Sequence, residues 1–159
     1  DLTRVAIVGH SAGGQLALWA AGRATLPEGA PGAGPALTPV AAVSQAGVND
    51  LVTAQEQSLG GAAVASLLEI DPDQPVPADL AAITSPAQMV PLGVPQLVVT
   101  GADDVTVPPS QSETYADAAT AAGDDVQLEI VAGEEHFAHL EPASRSWAVV
   151  KAFVVDVLG

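Results

Sequence analysis

Ten residues near the start of this chain constrain its fold more than any other stretch: Val5-Ala6-Ile7-Val8-Gly9-His10-Ser11-Ala12-Gly13-Gly14. An apolar run of strand character ends at Gly9, a serine stands between two glycines, and Gln15 to Arg23 then reads as helix. Strand, Gly-x-Ser-x-Gly, helix is the context in which a serine hydroxyl is lifted clear of the backbone on a tight turn. Such a turn is strained. Gly9 and Gly13 are expected to omit the Cβ atoms that would collide where strand and helix pass. The helix aims its unpaired N–H groups and positive dipole end at the place where an oxyanion would form. No Gly-Lys-Ser/Thr follows, so a phosphate loop is excluded, and the Gly-x-Gly-x-x-Gly dinucleotide spacing is absent.

Beyond this helix, Pro27, Pro31, Pro35 and Pro39 enforce a surface loop, and Val40 to Ser44 reads as a second buried strand. Helical pattern follows over Asp50 to Ala54 and Ala62 to Ile70, then an irregular acidic segment from Asp71 to Pro77. Ser85 to Pro91 leads back toward the sheet, and Pro95 to Thr100 is a third strand, apolar enough to be covered on both faces. Ser110 and Glu113 have capping-box spacing, which predicts a helix opening at Ser110 and stopping at Gly123. Val126 to Val131 alternates like an edge strand. Trp147, Val150, Phe153, Val154, Val157 and Leu158 mark one face of a closing helix. Strands alternate with helices throughout. The expected class is therefore α/β, a parallel sheet with helices on both faces, in one domain spanning residues 1–159.

Charge narrows the partners. Four Lys/Arg against nineteen Asp/Glu give a net charge of −15, which repels nucleic acid and anionic membranes. No apolar run is long enough to span a membrane, and the absence of cysteine excludes disulfides and thiol catalysis. The first residues, Asp1 to Arg4, lead straight into a core strand, so the chain is expected to be the later part of something longer.

A serine hydroxyl attacks a carbonyl only when a histidine takes its proton and a carboxylate orients that histidine. In a parallel sheet such groups gather at the carboxyl ends of the strands. Ser11 ends the first strand, Gly101-Ala102-Asp103-Asp104 follows the third, and Gly133-Glu134-Glu135-His136 follows the fourth. Asp103 competes with Asp104, and Asp50, after the second strand, is a further place for the acid. His139 competes with His136, and a surface position is expected for it. His10 is expected to pack beside the serine or line the pocket rather than act as base. A metal site from Glu135, His136 and His139 is disfavoured, because no His-Glu-x-x-His spacing occurs. Trp19 and Trp147 read as packing residues between helix and sheet.

Gly9-His10-Ser11-Ala12-Gly13-Gly14, Gly101-x-x-Asp104-x-x-Val107-Pro108 and Gly133-x-x-His136-Phe137 together resemble the C-terminal part of an α/β-hydrolase. The nearest flavours are esterase, prolyl-oligopeptidase-like and kynurenine-formamidase-like members, and the resemblance extends along essentially the whole chain. It implies Ser11 as nucleophile, Asp104 as acid and His136 as base, with the Ala12 N–H as one oxyanion donor and no cofactor or metal. The substrate would be a small ester or amide. Residues 48–92 fall where such enzymes often carry a cap. The resemblance also implies missing N-terminal strands, among them the loop that supplies the second oxyanion donor. Val5 to Val8 would then lie on an exposed apolar edge, open to a second copy or to the missing half.

Overall fold

The computed structural model describes residues 1–159. Four strands pair in parallel in the order β1 (Ala6–His10), β2 (Ala41–Gln45), β3 (Gln96–Gly101) and β4 (Val126–Val131). The small and β-branched residues of β2 and β3 suit strands covered on both faces, and every residue of both is buried. Register pairs His10 with Gln45, Gln45 with Val99, and Val99 with Glu129. The carboxyl ends of all four strands therefore open onto one edge. That alignment is what brings distant loops together.

The two faces follow from side-chain alternation along the strands. Ala42 and Val98 point into a cluster with Leu18 and Ala21 of α1 (Ala12–Gly22) and with Tyr115 and Ala119 of α6 (Ser110–Ala121). Val43, Leu97, Val99 and Val131 point the other way, onto Val150 of α7 (Arg145–Leu158). Val149, Phe153 and Val154 complete that helix face, close to the expected stripe. Fully buried Tyr115 donates its hydroxyl hydrogen to Gln96 Oε1, tying α6 to β3.

Between β2 and β3 the chain makes four short helices: α2 (Leu51–Glu56), α3 (Ala63–Leu68), α4 (Ala78–Thr84) and α5 (Pro86–Met89). Leu51, Ala54, Val64, Val76 and Ala81 form a small core of their own there. The first two helices match the sequence pattern. The others were not visible in it, because each is only about one or two turns and is held by tertiary packing rather than periodicity. The expected capping box is also absent. Pro109 is the N-cap and no side chain caps α6, because the Pro108-Pro109 pair starts the helix one residue earlier and leaves Ser110 inside its first turn. β4 lies at one edge of the sheet and β1 at the other, where Val8 and Leu16 are exposed. No helix is long and apolar enough to cross a membrane.

Candidate active site

Ser11 sits between β1 and α1 with φ 56° and ψ −122°, a backbone conformation that costs a side-chain-bearing residue of the order of 1–3 kcal/mol. The strain is held from both sides. Ser11 N–H donates to Gln45 O at 2.8 Å, and Gly14 N–H donates to Ser11 O at 2.9 Å. A Cβ on Gly9 would lie 1.8 Å from the Gly13 carbonyl oxygen, so no other residue fits there. Gly13 does not have the expected role. A Cβ on it would meet nothing within 4 Å, because it faces the open groove beside β1. Gly14 is the second essential glycine, since its Cβ would lie 2.6 Å from Ser44 Oγ and 2.9 Å from Gly47 Cα. Ala12 opens α1, so its N–H is among those with no acceptor inside the helix.

The loops after β3 and β4 meet at Gly101, where a Cβ would lie 2.1 Å from Glu134 O. Asp104 is thereby buried against His136. Its Oδ1 accepts the backbone N–H groups of Thr106 and Val107, both at 2.8 Å, which leaves Oδ2 for His136 Nδ1 at 2.7 Å. With Nδ1–H donating to the carboxylate, Nε2 is the free acceptor, and it lies 3.1 Å from Ser11 Oγ. The structure thus brings Ser11, His136 and Asp104 into one hydrogen-bonded chain. Asp103 is exposed, and Asp50 caps α2 by accepting from Val52 and Thr53 N–H.

Two side chains set the position of His136 through bonds that carried no clear sequence signal. His10 Nε2–H donates to the His136 carbonyl at 2.8 Å, and the two rings lie 4.6 Å apart. That fits the packing role expected for His10 and adds a directed bond. Buried Glu134 accepts backbone N–H groups from Arg145 at 2.8 Å and Ser146 at 3.2 Å, with the Arg145 guanidinium beside it at 3.8 Å. Burial works to raise the Glu134 pKa, but hydrogen bonds from Ser146 and Arg145 and the Arg145 charge outweigh it and hold it below the usual value. This carboxylate clips the His136 loop to the start of α7.

His139 corrects a sequence expectation. It is fully buried rather than on the surface, because the turn Ala138–Leu140 folds it inward to 6.0 Å from the His10 ring. Neither of its ring nitrogens has a hydrogen-bond partner. Burial first, and repulsion from His10 second, push its pKa down from 6.5 to about 4. Trp19 packs against the first core cluster and donates its indole N–H to Ile83 O at 2.8 Å, while Trp147 is half-buried. No group of three or more His, Asp or Glu side chains is placed to hold a metal ion.

Beside Ser11 opens a pocket of about 330 Å³. Its walls include Leu51, Leu59, Ala63, Val64 and Leu67 from the segment between β2 and β3, and Val107 from the loop after β3.

No protein of curated function matches the chain. Solved structures do. An acylaminoacyl peptidase of Pyrococcus horikoshii superposes with a TM-score of 0.76 at 21% identity, over 99% of this chain and 25% of that one. An acetyl ester-xyloside bifunctional hydrolase of Caldicellulosiruptor lactoaceticus gives 0.69 at 23% identity, over 97% and 56%. A carboxylesterase of Lactobacillus plantarum gives 0.67 at 20% identity, over 98% and 57%. This chain therefore spans between a quarter and somewhat over half of those proteins, and at such identities the likeness speaks for the fold. The sequence itself decides the family, since the family model described as alpha/beta hydrolase fold matches residues 1–140, a stretch that includes Ser11, Asp104 and His136. The chain belongs to the α/β hydrolase fold family.

Proposed function

We propose that this protein is a serine hydrolase that cleaves carboxylic esters through an acyl-enzyme. The observation that carries the reading is the chain of contacts from Ser11 Oγ to His136 Nε2 at 3.1 Å and from His136 Nδ1 to Asp104 Oδ2 at 2.7 Å. Ser11 Oγ attacks the ester carbonyl carbon while its proton passes to His136 Nε2. The imidazolium is balanced by buried Asp104, and the developing oxyanion turns to the Ala12 N–H. Collapse expels the alcohol, which takes the proton from His136. Water then repeats the cycle on the acyl-serine and releases the carboxylic acid. Amides are the harder extension of the same chemistry, and the likeness to an acylaminoacyl peptidase keeps them in view.

A fluorophosphonate probe tests this directly. Covalent labelling of the native chain, abolished in both Ser11→Ala and His136→Ala, is the expected result; unlabelled native chain would refute an activated serine.

A second reading is favoured by the free edge of β1, where Val8 is 41% and Leu16 52% exposed. Here the chain is a truncated, non-catalytic hydrolase-like module that associates through that edge, with a second copy or with the remainder of a longer hydrolase. Light scattering that finds only monomer at all concentrations would count against self-association.

A further inference from the structure

We infer that the pocket beside Ser11 is an acyl site for uncharged aliphatic chains of medium length, with α3 measuring the length. The inference rests on the esterase reading above and adds the substrate class.

The side of the serine on which the pocket lies decides which half of an ester fills it. The alcohol must leave within reach of His136 Nε2, because that nitrogen returns the proton. No residue of the His136 loop lines the pocket; its walls come instead from the start of α1, from the segment carrying α2 and α3, and from Thr106 and Val107. The group seated there is therefore the one that stays on Ser11. That group is the acyl chain.

Chemistry of the lining fixes the class. Eight of the twelve lining residues are hydrophobic and none is charged. Among the polar ones, Gln15 already donates its amide to Thr84 O at 2.8 Å. Nothing in the pocket can neutralise a carboxylate, a phosphate or the ammonium of a free peptide end, and burying such a charge unpaired is prohibitive. Its volume of about 330 Å³ is far more than an acetyl group fills. A chain of about four to eight carbons uses the room, and each methylene that leaves water adds about fourfold in preference.

The length limit comes from α3 and the turn before it. Leu59, Gly60, Ala63 and Leu67 contribute to the wall, and Ala63 and Leu67 are exposed residues outside the buried cores. Substitution at these two positions reshapes the pocket without disturbing the buried cores.

The test is the rate of p-nitrophenol release from p-nitrophenyl esters of two to twelve carbons, counted from the first turnover, with fluorophosphonate labelling run in parallel. The native chain is expected to peak between butanoate and octanoate. Ala63→Phe is expected to lower the octanoate-to-acetate ratio at least tenfold, and Leu67→Ala to move the peak to longer chains. If the serine is labelled but acetate is preferred, or if Ala63→Phe leaves the ratio unchanged, the acyl-site inference is overturned while the serine-hydrolase reading stands. If neither labelling nor release occurs with any ester, both fall together.

Discussion

Ser11, Asp104 and His136 are held by three loops, with His136 lying 32 residues from Asp104 and 125 from Ser11 along the chain. Most of the wall beside them comes from one segment, between β2 and β3, with a small core of its own. In the first region Asp104 and His136 are buried, and hydrogen bonds each fix one atom: Asp104 Oδ1 on two backbone N–H groups, Oδ2 on His136, and the His136 carbonyl on His10. The second is apolar and partly exposed, with Leu67 at 59%. Chemistry that needs reacting atoms within tenths of an ångström must rest on the first kind of construction. Substrate preference can rest on the second, where one side chain changes volume and little else. Mutations should separate the two regions by size of effect.

The largest effect on a fixed framework is expected from Asp104→Asn. The amide oxygen can still accept from Thr106 and Val107 N–H, so the loop should keep its shape. Its NH₂ group then faces His136 Nδ1 and selects the wrong tautomer, with Nε2 protonated toward Ser11. Turnover of an ester should fall by about 10⁴, while the melting temperature changes little. Rates within tenfold of the native chain would mean that Asp104 does not orient the base.

His10→Phe is the next step down. Phenylalanine keeps a ring against His136 but removes the donor to its carbonyl. Leaving that carbonyl unpaired costs about 1–3 kcal/mol, and if part of it appears in the placement of His136 the labelling rate of Ser11 should drop about tenfold. An unchanged rate would show that the loop is held by Glu134 and α7 alone.

These two residues also mark what sequence could and could not yield. Ser11, Asp104 and His136 were legible because each follows a recognisable strand, and parallel strands deliver their following loops to one edge. His10 was legible as a packing residue but not as a donor, since its partner is the backbone of a loop far along the chain. The exchange of Gly13 for Gly14 had no sequence signal. Both are glycines in the same turn, and only the position of Ser44 and Gly47 decides which one has no room. In the segment between β2 and β3, α4 and α5 stayed hidden because tertiary contacts, not periodicity, make them helical. His139 was misplaced for a related reason, as a short turn after Phe137 reverses the side that a polar loop residue faces.

The last effect concerns stability rather than rate, and it separates His139 from His136 on the same loop. His139 is buried without a partner and its pKa is pushed down from 6.5 to about 4, so it stays neutral in the fold at pH values where the unfolded chain binds a proton. Well above pH 6.5 neither state is protonated and the residue has no pH-dependent influence. As pH falls from 6.5 toward 4 the unfolded state takes up the extra proton, and stability drops by up to about 3 kcal/mol. Glu134 acts in a different window. Its lowered pKa contributes stability above the ordinary value of 4.5, and that contribution is lost only as pH falls below it. Urea midpoints measured from pH 7.5 to 4.5 should therefore decline in the native chain and decline less in His139→Met, which keeps an apolar chain in the cavity and cannot titrate. Parallel curves for the two proteins would place the acid sensitivity elsewhere and leave His139 as packing alone.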